Sequence, residues 1–201
     1  ENGTMSASLY YRNTNGKIEQ IRTVDANGYS KRLPLNFSNM QSMGAEFTSS
    51  NNLTKAWKAD VSLNLFRAIT DARNLDASFY SDTYSWFVRH TSRVKLGAGV
   101  DAQIRANYEA PQKTPQGSRG YMSWMDLSAS KDIMDGNGTV TLNILDVFSS
   151  RIMRSETKGV GFFTEAEMQG RLTQFNFTFN YRFKTTKQAA KQRRSMMDEE
   201  N

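Results

Sequence analysis

The stretch from Gln174 to Phe183 alternates without a break. Phe175, Phe177, Phe179, Tyr181 and Phe183 share one parity, and Gln174, Asn176, Thr178, Asn180 and Arg182 share the other. A period of two sends successive side chains to opposite faces of an extended chain, so this is a β-strand with one aromatic and one polar face. Each ring gains roughly 1.5–3 kcal/mol on leaving water, which obliges the aromatic face to be covered. A strand of ~9–11 residues, apolar on one side and ending on a phenylalanine before a polar tail, suits the closing strand of a transmembrane β-barrel. The same alternation suits an amphipathic strand on the core of a soluble β-sandwich, so the rest of the chain decides.

Hydrophobic residues make up 38% of the 201 residues, and mean hydropathy is −0.65. No run approaches the ~18 apolar residues of a membrane helix. A barrel remains open, because its strands are only half apolar and look hydrophilic on average. With no cysteine and a single histidine, His90, the chain lacks thiol catalysis, disulfides and Cys/His zinc sites. His90 shares the parity of apolar neighbours and reads as a neutral spacer. The start Glu1-Asn2-Gly3 is polar and holds no signal peptide, which reads as a mature chain or a fragment. The net charge of +6 is spread along the strands, dense only at Lys191-Gln192-Arg193-Arg194, so nucleic acid is not an expected partner.

Similar alternation recurs along the chain. Strands are expected at Thr4–Thr14, Met40–Ser50, Trp57–Leu65, Ser85–Leu96, Val100–Glu109, Tyr121–Ser130, Thr139–Phe148 and Arg171–Phe183. Trp124 interrupts the pattern of its strand. Lys17–Val24 and Ser30–Phe37 look like a hairpin standing above the sheet. Thr70–Tyr84, Pro111–Gly120 and Ser149–Gly170 read as loops, while Ser50–Leu53, Gly97–Gly99 and Asp135–Gly138 are tight turns.

Long and short connections therefore alternate. In an up-and-down meander, alternate connections lie at the same end, so the long ones gather at one end and the short turns sit with both termini at the other. Outer-membrane barrels have this asymmetry, whereas a sandwich has no reason to sort its loops by length. Tyr11, Trp57, Trp86, Tyr108 and Tyr121 lie near strand ends, where amphipathic rings favour a bilayer interface. The fold expected is all-β, an antiparallel up-and-down transmembrane β-barrel of about eight strands. Residues 1–183 would form the barrel segment and residues 184–201 a polar periplasmic tail.

The chain also resembles the C-terminal part of the barrel of TonB-dependent receptor-like outer-membrane proteins from the Bacteroidota. The resemblance rests on Ala7-Ser8-Leu9-Tyr10-Tyr11-Arg12 followed by Ile18-Glu19, then Met43-Gly44-Ala45-Glu46-Phe47 and Asn107-Tyr108-Glu109-Ala110-Pro111. It continues through Leu142-Asn143-Ile144-Leu145-Asp146-Val147-Phe148 to Phe179-Asn180-Tyr181-Arg182-Phe183. It implies a larger plugged barrel of about 22 strands, of which this chain would supply about the last eight. It implies nutrient uptake, with loops that capture the solute and a lumen that passes it. It also implies partners: outer-membrane lipid, the barrel assembly machinery, an inner-membrane or periplasmic energy-coupling protein, and a surface lipoprotein or other outer-membrane subunits. Phe179, Tyr181 and Phe183 would form the C-terminal signal read by the assembly machinery. Two alternatives stand beside transport: a non-transporting subunit of an outer-membrane complex, and a complete small eight-stranded barrel.

No catalytic, cofactor or metal constellation is apparent, and an enzyme is not expected. Glu165 and Glu167 fall in a predicted loop as solvated charges, and Gly159-Val160-Gly161 lacks the context of a phosphate-binding loop. Asp101, Arg105 and Glu109 share the polar face of one strand, where a barrel would turn them to the lumen to pair with charges on neighbouring strands.

Overall fold

The computed structural model describes residues 3–36 and 39–183. Eight strands build one antiparallel sheet: β1 (Thr4–Asn15), β4 (Asn39–Asn52), β5 (Trp57–Asp71), β6 (Tyr80–Gly97), β7 (Val100–Glu109), β10 (Met122–Ile133), β11 (Gly138–Leu145) and β14 (Gln174–Tyr181). They neighbour one another in chain order, a pure up-and-down meander. The remaining strands stand in the connections: the hairpin β2 (Ile18–Val24) and β3 (Ser30–Asn36), the short pair β8 (Gln112–Thr114) and β9 (Gly117–Arg119), and the hairpin β12 (Ile152–Gly159) and β13 (Phe162–Gln169). β8, β9, β12 and β13 join as a second sheet in the order β13-β12-β9-β8.

Every long connection leaves the main sheet at one end, and the tight turns β4–β5, β6–β7 and β10–β11 lie at the other. The register carries one parity across all eight strands. Phe177 faces Leu142, Leu142 faces Ala129, Ala129 faces Ala102, and Ala102 faces Val94. Val94 faces Trp57, and further along β5 on the same parity Leu63 faces Phe47 and Phe47 faces Ala7. A one-residue slip anywhere would carry a strand's apolar set to the other side, so the shared parity fixes the register.

Burial decides which side is inside. On the apolar face Leu65 is 49% exposed and Phe177 71%, whereas on the polar face Asn64 is 5% exposed and Asn107 8%. A soluble protein distributes these the other way round. The polar face is the concave, crowded side, and the apolar face looks out. The only cluster of buried apolar residues among the described residues lies off the main sheet, where Ile21 of β2 packs with Ala72 and Phe79 and is flanked by Leu35 of β3.

Three expected loops differ from the structure. β5 runs on to Asp71 and β6 starts at Tyr80, leaving only residues 72–79 as turn. Thr70, Asp71, Ser81 and Asp82 look like loop because above the bilayer both faces of a strand are wet and the alternation vanishes. Pro111–Gly120 and Ser149–Gly170 carry the paired strands of the second sheet, and Gly159-Val160-Gly161 is the turn of the β12–β13 hairpin, with Gly161 at a φ of 76°. The seventh strand ends at Leu145 rather than Phe148, and Arg171–Thr173 precede β14 rather than belong to it. Residues 184–201 lie outside the described residues.

Candidate functional site

On the outward face of β5, Trp57 at one rim and Arg67 at the other bracket an apolar band of Ala59, Val61, Leu63 and Leu65. Ten residue steps cover about 33 Å along the strand, and a tilt of ~40° reduces this to about 25 Å of height, the thickness of the lipid-facing band of an outer-membrane barrel. Its upper rim is aromatic. Trp86 and Tyr108 lie 4.8 Å apart between ring centroids, and Tyr108 and Tyr121 6.2 Å, a line across β6, β7 and the start of β10. Cations cover the rim: Arg67 stands 5.2 Å over Tyr84 while chelated by Asp82, and Arg154 stands 5.8 Å over Tyr121. At the lower rim the Trp57 indole N–H donates to Ser92 Oγ at 2.6 Å.

The inward face is a web of polar side chains crossing strands. Tyr10 on β1 donates its hydroxyl to Asn64 Oδ1 on β5 at 3.2 Å, and Asn64 donates to Glu46 on β4 at 2.9 Å. Tyr10 reaches β5 by lying across Gly44, where a Cβ would stand 2.6 Å from the Tyr10 hydroxyl oxygen. Only glycine lets that ring pass, so two separate stretches, Ala7–Arg12 and Met43–Phe47, form one construction. Nearer the short turns, Asp60 accepts from Ser50 at 2.7 Å and from Arg93 at 2.6 Å, with Lys58 at 3.6 Å, and Arg93 also donates to Gln103 at 2.9 Å. A cavity of about 500 Å³ opens there, lined by Lys58, Arg93, Lys95, Asp101 and Gln103 among others.

Asp101, Arg105 and Glu109 lie together on this polar face of β7, with Asp101 opposite Lys95 and Arg105 opposite Asp126. Among the described residues, no ion pair includes any of the three; charge pairing on this face centres on Asp60 instead. On β14, Phe179 packs beside Val140 on the outward face, and Phe183, just past the strand, meets Tyr181 edge-on at 4.7 Å. His90 sits on the outward face between Val61 and Ala106. Glu167 is on β13 rather than in a loop and binds Arg154 at 3.0 Å. Trp124 breaks its strand's pattern because it turns to the polar face, where Arg151 stacks 4.6 Å above its ring.

Gln116 and Asp146 organise the long-connection end, and no local sequence pattern marks either role. Gln116, at the β8–β9 turn and 9% exposed, accepts the Arg22 N–H through Oε1 and donates to the Arg22 C=O through Nε2, both at 2.9 Å. Its own carbonyl takes the Lys158 N–H at 2.5 Å, so one residue ties three connections together. Asp146 closes β11 in a left-handed conformation with φ 49°, accepting the N–H groups of Ser150 at 2.9 Å and Arg151 at 3.0 Å. Thr173 donates its hydroxyl to the Asp146 carbonyl at 2.7 Å, which brings the start of β14 back to the same corner.

An antiparallel meander, apolar outside and polar inside, with an aromatic rim and its long connections at one end, is the wall of a transmembrane β-barrel. Residues 1–181 match the outer membrane protein beta-barrel family, and the chain belongs to it. It is therefore a protein of the bacterial outer membrane. No curated protein and no solved structure matches the chain.

Proposed function

We propose that the chain is part of the wall of a solute-transporting barrel of the TonB-dependent receptor-like kind from the Bacteroidota, taking up a nutrient across the outer membrane. The observation that carries this reading is the pair of open edges. β1 and β14 end the sheet without pairing to each other, and nearly all their residues on both faces are exposed. An unpaired backbone group costs several kcal/mol in hydrocarbon, so both edges take a strand partner in the membrane. An eight-stranded barrel has an interior just wide enough for its own side chains to fill. Here the inward side chains of β1 reach only their own side of the sheet, Ser6 to Thr48 and Tyr10 to Asn64, and those of β14 past Gln174 are exposed, which suits an arc of a wider barrel with a lumen. In this reading Asp101, Arg105 and Glu109 face that lumen, the long connections meet the solute outside, and the tail after Phe183 lies in the periplasm.

The test is the size of the native species carrying this sequence in outer-membrane fractions, run boiled and unboiled. A heat-modifiable band several times larger than the 22.8 kDa of this chain supports the wide barrel. A heat-modifiable band at 22.8 kDa means β1 closes on β14, and the transport reading falls.

A further inference from the structure

We propose that the long-connection end holds an oxyanion-binding site built by Arg22, Arg32 and Arg119, which takes a carboxylate, phosphate or sulfate group of the solute. The three arginines come from β2, β3 and β9 and line one cavity of about 220 Å³. Pockets that enclose a whole drug-sized ligand run to ~300–1,000 Å³, so this one fits an anionic group rather than an entire solute.

Charge points to the ligand. Arg22 and Arg32 stand directly opposite each other across the β2–β3 hairpin. Because the Arg22 N–H and C=O are given to Gln116, the two arginines form a non-hydrogen-bonded pair, the arrangement with the closest side chains. Like charges placed so are destabilising unless something neutralises them. Among the described residues, none of the three arginines has an ion-pair partner. Of the two carboxylates on the same wall, Glu19 pairs with Lys17 at 2.5 Å, and Glu156 lies 4.0 Å from Lys158 and forms no ion pair with any of the three arginines among the described residues. Arg22 Nε is buried with no hydrogen-bond partner among the described residues, which a native fold seldom leaves so. Ser155 and Thr157 bring hydroxyl donors to the same cavity. Guanidinium forks and hydroxyls around a small polar hollow are the donor set of an oxyanion site.

The inference deepens the transport reading by giving its solute an acidic group, but the binding test stands without transport. The detergent-solubilised full chain is titrated, at constant ionic strength, with inorganic phosphate, a uronate disaccharide and its neutral counterpart. Saturable binding of either anion, with none of the neutral sugar, is expected. Arg32→Gln and Arg119→Gln should each weaken it about tenfold, as fits loss of one charge-assisted hydrogen bond, while Lys31→Gln leaves it unchanged. Both arginines are exposed and unpaired, so their variants keep the fold. Phosphate binding alone identifies a free-anion site, and tighter uronate binding identifies an acidic sugar as the occupant. No anion binding, or equal loss in Lys31→Gln, overturns the proposal. If the anion binds but the native species runs at 22.8 kDa, the site stands and the transport reading falls.

Discussion

Replacing Gln116 by alanine tests whether one side chain holds the long connections together. Its amide makes two hydrogen bonds to Arg22, accepting from N–H and donating to C=O, both at 2.9 Å. It thereby serves as a single rung of a β-ladder along the outer edge of β2. In Gln116→Ala those two backbone groups lose their partner, at about 1–3 kcal/mol each. The adjoining polar cavity of about 220 Å³ admits water, which brings the cost to the low end, about 2–3 kcal/mol in total. The Lys158 N–H still reaches the residue 116 carbonyl, so β8–β9 and β12 stay joined while the β2–β3 hairpin comes loose. Native-state hydrogen exchange reads this directly. The Arg22 amide should exchange about 30- to 150-fold faster in the variant, the equivalent of that free energy. Amides in the middle of β5 and β6 should not change. Unaltered exchange at Arg22 would refute the bridge, and equal acceleration in β5 would refute the separation of the outer connections from the wall.

Four further outcomes follow from the same geometry. Phe177→Arg, in the middle of the outward apolar run of β14, should lower the folded fraction in phospholipid vesicles by about 30-fold or more, given ~2–4 kcal/mol for a lipid-facing arginine; Asn176→Arg, on the inward face, should fold like the parent, with heat-modifiable gel mobility as the readout. Asp146→Ala loses three hydrogen bonds to the carboxylate, from the Ser150 and Arg151 N–H groups and the Ser150 hydroxyl, and places alanine in a left-handed conformation, a cost of about 3 kcal/mol in chemical denaturation; Asp146→Asn, which tolerates that conformation, should lose less than half as much. Asp71 is held down to about 2, first by the Arg73 guanidinium and then by the Arg73 backbone N–H. Its folded value lies below its unfolded one, so its contribution is complete above about pH 4 and fades as pH falls towards 2. The Arg73 and Ala72 amides should lose protection over that range, and Asp71→Asn should show the low-pH exchange at every pH. Finally, Phe183→Ala should reduce outer-membrane yield, measured by blotting of membrane fractions, more than Phe162→Ala in the β12–β13 hairpin; equal yields would remove the terminal phenylalanine from the assembly signal.

What the sequence disclosed and what it hid divide at the membrane surface. Within the bilayer one face of each strand meets hydrocarbon, so alternation is imposed residue by residue. Val100–Glu109 could accordingly be placed to the residue and the Phe175–Phe183 parity assigned. Alternation alone could not say which face looks in, because a soluble barrel and a membrane barrel share the pattern; the buried Asn64 beside the exposed Leu65 settles it. Beyond the rim both faces of a strand are wet and the constraint disappears. The end of β5, the start of β6, and the whole of β8, β9, β12 and β13 therefore pass for loop. Their order comes from pairing across long sequence distances, such as Gln116 with Arg22, for which no local pattern exists. The arginines carried the same lesson. Arg22, Arg32 and Arg119 were three charges scattered through a basic chain until the hairpin register set two of them opposite each other and the second sheet added the third. A barrel's wall is written locally because lipid reads every second residue, while its outer connections are written in contacts, and a cluster of side chains placed among them is legible only once the strands are paired.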